Sequence, residues 1–169
     1  EFNPELARSL LDEARVSSVL TIDISRIARE TQYGRRVFNE FENAQNELIE
    51  NNTIIQNNLE AEEQSLVELR KTLAADEFLK LAKDFDERAN SIRKERAELE
   101  NKLFEKRDEN ISELLKLSVP FLQEIMLSYK ASVIVDRRNI VLSNPMIDIT
   151  EKAIELINDN LGDGTGNSD

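Results

Sequence analysis

Residues 133–150 read "VIVDRRNIVLSNPMIDIT". Two β-branched runs flank a polar turn, and a proline and a helix cap come after them, which is strand-and-turn chemistry. Two strands are expected here, about 132–136 and 140–143, joined around Arg137-Arg138-Asn139. Asp148 has Glu151 three positions later, a capping-box spacing, ahead of a helix carrying Ala153, Ile154, Ile157 and Leu161. A third strand candidate, "SVLTIDI", lies far upstream at 18–24. Its alternation sets Leu20, Ile22 and Ile24 on one face and Val19, Thr21 and Asp23 on the other. Ser25 is placed to cap a helix beginning directly after this strand.

Between these strand regions the periodicity is helical. From about Ser25 to Ala75, Phe41, Ala44, Leu48, Asn52, Ile55, Leu59, Glu62, Leu66, Leu69 and Leu73 recur at steps of three and four. That is a heptad seam with two polar members, and the step through Asn52 breaks strict alternation as a stutter does. The pattern is interrupted around "AADE", 74–77. A second helical stretch, about 77–117, takes its seam from Phe78, Leu81, Phe85, Ala89, Ile92, Leu99 and Leu103, with Lys106 and Asn110 as polar intrusions. Two consecutive heptad segments of similar length favour an antiparallel hairpin. A single helix continuing through residue 75 is the rival, because neither Gly nor Pro marks a turn. Pro120 is expected to end or kink the helix. Around it Leu114, Leu115, Leu117, Val119, Phe121, Leu122, Ile125 and Met126 form the most apolar helix of the chain.

A hairpin returns residue 117 to the neighbourhood of residue 25, so the strand near 20 can meet those near 135 and 142. The fold class expected is therefore mainly α with a small β body, from which a long antiparallel helical-hairpin arm projects. The body takes 17–33 and 118–161, and the coiled-coil arm takes 34–117 with its tip near 74–78. Residues 1–16 are read as a partly disordered extension, within which 4–15 have some helical pattern, and 162–169 as a flexible tail. A body this small buries little apolar surface and leaves strand edges open, so self-association is its physical remedy. Leu20, Ile22, Ile24, Phe121, Leu122, Ile125, Ile134 and Val141 are the residues expected to form a shared core.

Composition narrows the function. The 169 residues carry 34 Asp and Glu against 22 Lys and Arg, a formal net charge of −12, with four Gly, three Pro and no Cys or His. Disulfides, Cys-based zinc sites and Cys or His catalytic machinery are excluded. Nucleic acid is a poor partner for so acidic a chain. No apolar run approaches the length of a membrane span, so no stable membrane insertion is expected. Glu1-Phe2 reads as a processing or cloning junction.

The stretches "VLTIDISRIARETQYGRRVFNEFE" and "ASVIVDRRNIVLSNPMIDITEKAIELIN" resemble the two ends of the Skp/OmpH family of periplasmic chaperones. "DIT" leading into an apolar helix is the most family-like piece, and the intervening segment is similar in length and heptad character. The resemblance covers about 17–158. It implies a homotrimer with a β-rich body and three α-helical arms around a cavity. It further implies ATP-independent holding of unfolded outer-membrane proteins in the periplasm of a Gram-negative bacterium, after removal of a signal peptide, with no cofactor and no enzymatic activity. The acidic charge departs from the family, whose best-known members are strongly basic. Glu42 to Leu69 holds seven Glu and no Lys or Arg, whereas Arg70 to Lys83 has a local +2. Lipopolysaccharide or membrane-surface contact, which needs a basic cluster, is left open.

Client contact is expected at the arm tip, through Arg70, Lys71, Leu73, Phe78, Leu79, Lys80, Leu81 and Lys83; the apolar members would equally serve to close the hairpin. The competing function is a structural coiled-coil adaptor that binds a partner helix, and an enzyme is a distant third. "GDGTG" lacks the Lys-Ser/Thr of a phosphate loop, "DNLGDG" lacks the terminal Glu of a calcium loop, and carboxylates on helical arms are normally a solvated face. Arg137 and Arg138 suit a solvated turn better than an anion site.

Overall fold

A computed structural model describes residues 19–167. The expectations for 1–16 lie outside them. The described residues divide into two compact units, one holding 19–38 together with 109–167, the other holding 39–108.

In the first unit, β1 (Val19–Ile22) pairs in parallel with β2 (Val133–Asp136), in the register Val19 with Val133 through Ile22 with Asp136. The strands from the two ends of the chain therefore meet, as the sequence implies. On its other side β1 bridges to Asp148, and the Ile149 amide donates to the Thr21 carbonyl at 2.9 Å. Both faces of β1 are covered, since Leu20, Thr21 and Ile22 are all buried. The expected half-buried alternation fails at Thr21. Its hydroxyl is buried without a hydrogen-bond partner among the described residues. An unmade buried bond of this kind costs about 1–3 kcal/mol. Thr21→Val should therefore raise stability by about 1 kcal/mol, read as a rise of a few degrees in Tm; a fall would show that the hydroxyl is satisfied.

The strand ends sooner than expected. Asp23, not Ser25, caps α1 (Ile24–Glu30), its carboxylate accepting from the Arg26 amide at 3.1 Å. Ile24 thus belongs to a helix. The long helix expected from Ser25 is also broken at Thr31, whose extended backbone ends α1 and starts α2 (Gln32–Leu69). The Thr31 hydroxyl donates to the Ile27 carbonyl at 2.9 Å and accepts from the Gly34 amide at 3.1 Å, so one side chain serves both helix ends. From α4 (Thr150–Leu161), Asn158 accepts from the Gln32 amide at 2.7 Å and satisfies another open donor of α2.

Helix α3 (Ala75–Ser128) is continuous through Pro120, which neither ends the helix nor begins a separate one. Pro120 and Lys116, whose carbonyl loses its donor, both lie on the exposed side. Leu114, Ser118 and Ile125 on the opposite side are buried, and their packing outweighs the local cost. The helix closes with Lys130 at a φ of 51°, the Ala131 amide reaching back to the Met126 carbonyl and the Lys130 amide to that of Leu127. This is the Schellman pattern, with Lys where Gly is usual.

The core of this unit gathers Leu20, Ile22, Ile27, Tyr33, Val37, Leu114, Ile125, Ile149, Ala153, Ile154 and Ile157, with Ile24, Phe121, Leu122 and Ile134 packed against it. Seven of the eight residues expected in a shared core thus pack within a single chain; Val141 does not. Among the described residues no second strand forms after β2. Arg137–Asn139 make a 3-10 turn, and 140–143 run on without pairing to any described residue. A second 3-10 turn covers Pro145–Ile147.

Nor does the expected capping box form before α4. Asp148 accepts from both the amide and the hydroxyl of Thr150, at 2.9 and 2.5 Å, and from Arg137 at 2.6 Å. Glu151 turns instead to Arg26, at 2.5 Å. Thr150 in turn accepts from the Asp23 amide at 2.9 Å, which ties the start of α4 to the end of β1. Burial pushes the Asp148 carboxyl upward, but the Thr150 bonds and the Arg137 charge outweigh it and hold the group below its ordinary value of 3.8. A folded-state value below the unfolded one contributes stability above the unfolded pKa, and this is lost as pH falls through the folded one. The stability that Asp148 contributes should therefore begin to be lost as pH falls below about 3.8, and Asp148→Asn should flatten that limb of the stability–pH curve. An unchanged acid limb would remove Asp148 from the account.

The segment expected to be a flexible tail is placed as far as Asn167. Arg36 donates to the Asp163 carbonyl at 2.6 Å, and Gly164, at a φ of 80°, lies against the Tyr33 ring.

Candidate functional site

The second unit consists of the outer part of α2, the turn 70–74 and the first part of α3. The chain turns here, so a single helix through residue 75 is overturned. The turn lies slightly earlier than expected. Amides of Lys71, Thr72 and Leu73 fold back on Glu68 and Leu69, and α3 begins at Ala75. Pairings between the two helices descend in number along α3 as they rise along α2: Phe41 with Phe104, Asn52 with Arg96, Glu62 with Arg88. The half-buried positions of α2 include Phe41, Ala44, Leu48, Asn52, Ile55, Leu59, Glu62 and Leu66, as the heptad reading placed them, whereas Leu69, also expected in the seam, is exposed at the end of the helix. On α3 the seam runs through Phe78, Ala82, Phe85, Ala89, Ile92, Arg96 and Leu103. Leu81 and Leu99, expected within it, are exposed.

The polar seam members are matched across the helices. The Arg96 guanidinium donates to the Asn52 carbonyl oxygen at 2.5 Å, and Arg88 pairs with Glu62. Beside the Phe41 and Phe104 rings, 5.1 Å apart, the Arg107 guanidinium stacks on both. Among the described residues of this unit only Ala89 is buried, so the seam is thin. Large side chains remain exposed beside it: Ile49, Ile54, Val67, Leu79 and Leu99.

The eight residues expected at the tip do lie together around the turn and the first turns of α3. Leu73 and Phe78 are half-buried and close the hairpin, whereas Leu79 and Leu81 face solvent. The positive bias is largely engaged locally. Lys71 pairs with Glu68 at 2.7 Å, Lys83 with Glu87 at 3.6 Å, and the Arg70 guanidinium sits over the Phe78 ring.

A second apolar surface, which the periodicity did not reveal, lies further along the hairpin. An open groove of about 350 Å³ is lined by Leu48, Asn51, Asn52, Ile54, Ile55, Ile92, Glu95, Arg96 and Leu99. It falls at the stutter of α2, where the register shift and the Asn52–Arg96 pair displace Leu99 from the seam. The signal was present in the sequence as the broken heptad step at Asn52.

The third surface is the loop after β2. Arg137 and Asp148 form an ion pair across its base at 2.6 Å. Between them Val141 is fully exposed, Leu142 is 91% exposed and Met146 is 87% exposed. Nothing among the described residues covers them. Arg138 pairs with Asp136 at 2.6 Å and holds its carboxyl below the ordinary range. Both turn arginines are thus engaged by carboxylates. Among the described residues no cluster of carboxylates is arranged to hold a metal ion, and no helix is long and apolar enough to cross a membrane.

The sequence matches the family described as outer membrane protein (OmpH-like) over residues 18–157. No curated protein matches the chain. A solved structure with a similar fold is that of a candidate outer membrane chaperone (OmpH-like) from Caulobacter crescentus CB15, with a TM-score of 0.77 and 19% identity over 85% of each chain.

Proposed function

Because the chain belongs to the OmpH-like outer membrane protein family, we propose that it is an ATP-independent holdase that keeps unfolded outer-membrane β-barrel proteins from aggregating in the periplasm. The observation that carries this reading is the character of the two-helix unit. It displays large aliphatic side chains along its length and offers open grooves rather than an enclosed pocket. Unfolded barrels present alternating apolar side chains and unpaired strand edges. Weak, distributed contacts with such a chain need shallow apolar surface and no bound nucleotide.

Assembly into a homotrimer completes the reading. The number three comes from the family resemblance. Association itself is supported by two features of one chain: among the described residues β2 pairs with β1 alone, and Val141 and Leu142 are almost fully exposed in the segment that follows it. A free strand edge and an exposed apolar segment on one molecule can meet between neighbouring copies. Such a head-to-tail contact closes into a ring when the rotation relating the copies is one third of a turn. The hairpins would then be arms around a common cavity. The test dilutes a urea-unfolded outer-membrane barrel into buffer without ATP, with and without the protein, and measures mass by light scattering in parallel. Suppressed turbidity and a mass of three chains are expected. Aggregation at an unchanged rate would overturn the holdase reading.

A further inference from the structure

We propose that the groove at the stutter of the hairpin, not the tip, is the principal client-contact site, and that it prefers extended apolar segments carrying Lys or Arg. The proposal rests on the holdase reading and names the site and the class of client segment. The groove's apolar floor comes from Leu48, Ile55 and Ile92, and its walls from Ile54 and Leu99, which are 58% and 52% exposed. Two aliphatic side chains half in water beside an open groove present apolar surface that an incoming chain would cover. The groove's own cation, Arg96, is held in place by the neutral Asn52 and keeps its charge, but the carboxylates around it outnumber it.

Charge around this groove selects the occupant. Glu95 lines it. Glu47 and Glu50 stand one turn before Asn51 and Ile54, at the i, i+4 spacing that makes helix neighbours. Of the seven Glu between 42 and 69, Glu62 and Glu68 have cationic partners in Arg88 and Lys71, while Glu47 and Glu50 form no ion pair among the described residues. The unit 39–108 contains 18 carboxylates and 11 basic side chains, so it holds −7 of the chain's −12. An unfolded segment with acidic residues meets repulsion along this unit, whereas one with basic residues between its apolar positions is attracted and then covers Ile54 and Leu99. At the tip, by contrast, Lys71 and Lys83 are paired within the chain and Arg70 covers Phe78.

Two synthetic peptides with identical alternating Val and Leu positions, one with Lys and the other with Glu between them, test this by fluorescence anisotropy on the full chain. The Lys peptide should associate about tenfold faster at low salt, and the difference should shrink as salt screens exposed charge. Ile54→Ser with Leu99→Ser should remove binding of the Lys peptide while leaving helicity by circular dichroism unchanged, since both side chains are exposed. Glu47→Gln, Glu50→Gln and Glu95→Gln together should abolish the preference but retain weak apolar binding. Equal binding of the two peptides, tighter binding of the Glu peptide, or full binding by the Ile54/Leu99 variant overturns the proposal. The barrel-aggregation assay separates the two failures: suppression without charge preference sinks only this proposal, and absent suppression sinks the holdase reading with it.

Discussion

Gly34→Ala should destabilise the β-containing unit by about 3 kcal/mol or more, lowering Tm by about 10 °C. A methyl group at Gly34 would lie 1.9 Å from the Ala28 carbonyl oxygen and 3.1 Å from the Thr31 hydroxyl. The first distance is far inside contact, and its partner is backbone, which cannot swing away as a flexible side chain would. Relief would require α1 and α2 to separate at their junction. That junction is fixed by the Thr31 hydroxyl, by the Asn158 bond to Gln32 and by burial of Ile27, Tyr33 and Val37. Movement there would reach the core directly. Gly166→Ala is the control, since a methyl group there meets nothing within 4 Å. Thermal denaturation of both variants followed by circular dichroism decides the matter, and equal melting temperatures would show that the elbow relaxes freely.

The same elbow shows where local reading of the sequence stops. Nothing in the apolar spacing from Ile24 to Val37 announces a break, and a single helix is the natural expectation. Thr31 and Gly34 produce the break together, one as a cap for both helices and the other as the residue that admits a neighbouring carbonyl. A close approach of this kind is a tertiary fact, visible only once α1 has somewhere to go. Pro120 shows the opposite error. A local rule predicts a break, and packing of Leu114, Ser118 and Ile125 into the core overrides it. The meeting of strands from the two chain ends was legible, because β-branched runs flank a heptad segment long enough to return on itself. The α2 seam was legible too, even at Asn52 and Glu62, since spacing placed them there despite their polarity. On α3 residue type misled: Leu81 and Leu99 displaced Ala82 and Arg96 from the expected seam, although Arg96 is the residue that meets Asn52. The broken step at Asn52 marks where α2 loosens, but which side chains of α3 line the groove depends on the long-range Asn52–Arg96 pair, which periodicity in either segment does not give.

Val141→Asp with Leu142→Asp should abolish assembly while leaving the single chain folded. Both side chains are exposed in the protomer, so adding charge there buries nothing and breaks no contact within the chain. In the proposed ring the same two residues lie under a neighbouring copy, where a carboxylate would lose its hydration without gaining a partner. Association should weaken on the order of 100-fold or more, enough to convert trimers to monomers at micromolar concentration. A change in strand β2 would not distinguish these effects, because Ile134 packs against the protomer's own core and Ile134→Asp would damage folding and assembly together. The base of the loop that carries Val141 and Leu142 is tied by the Arg137–Asp148 pair. Native mass spectrometry and circular dichroism on the double variant give the two readouts needed. A folded monomer places the interface at 141–142. A folded trimer excludes that segment from the interface and moves assembly to other exposed apolar residues, such as Leu127 and Met146.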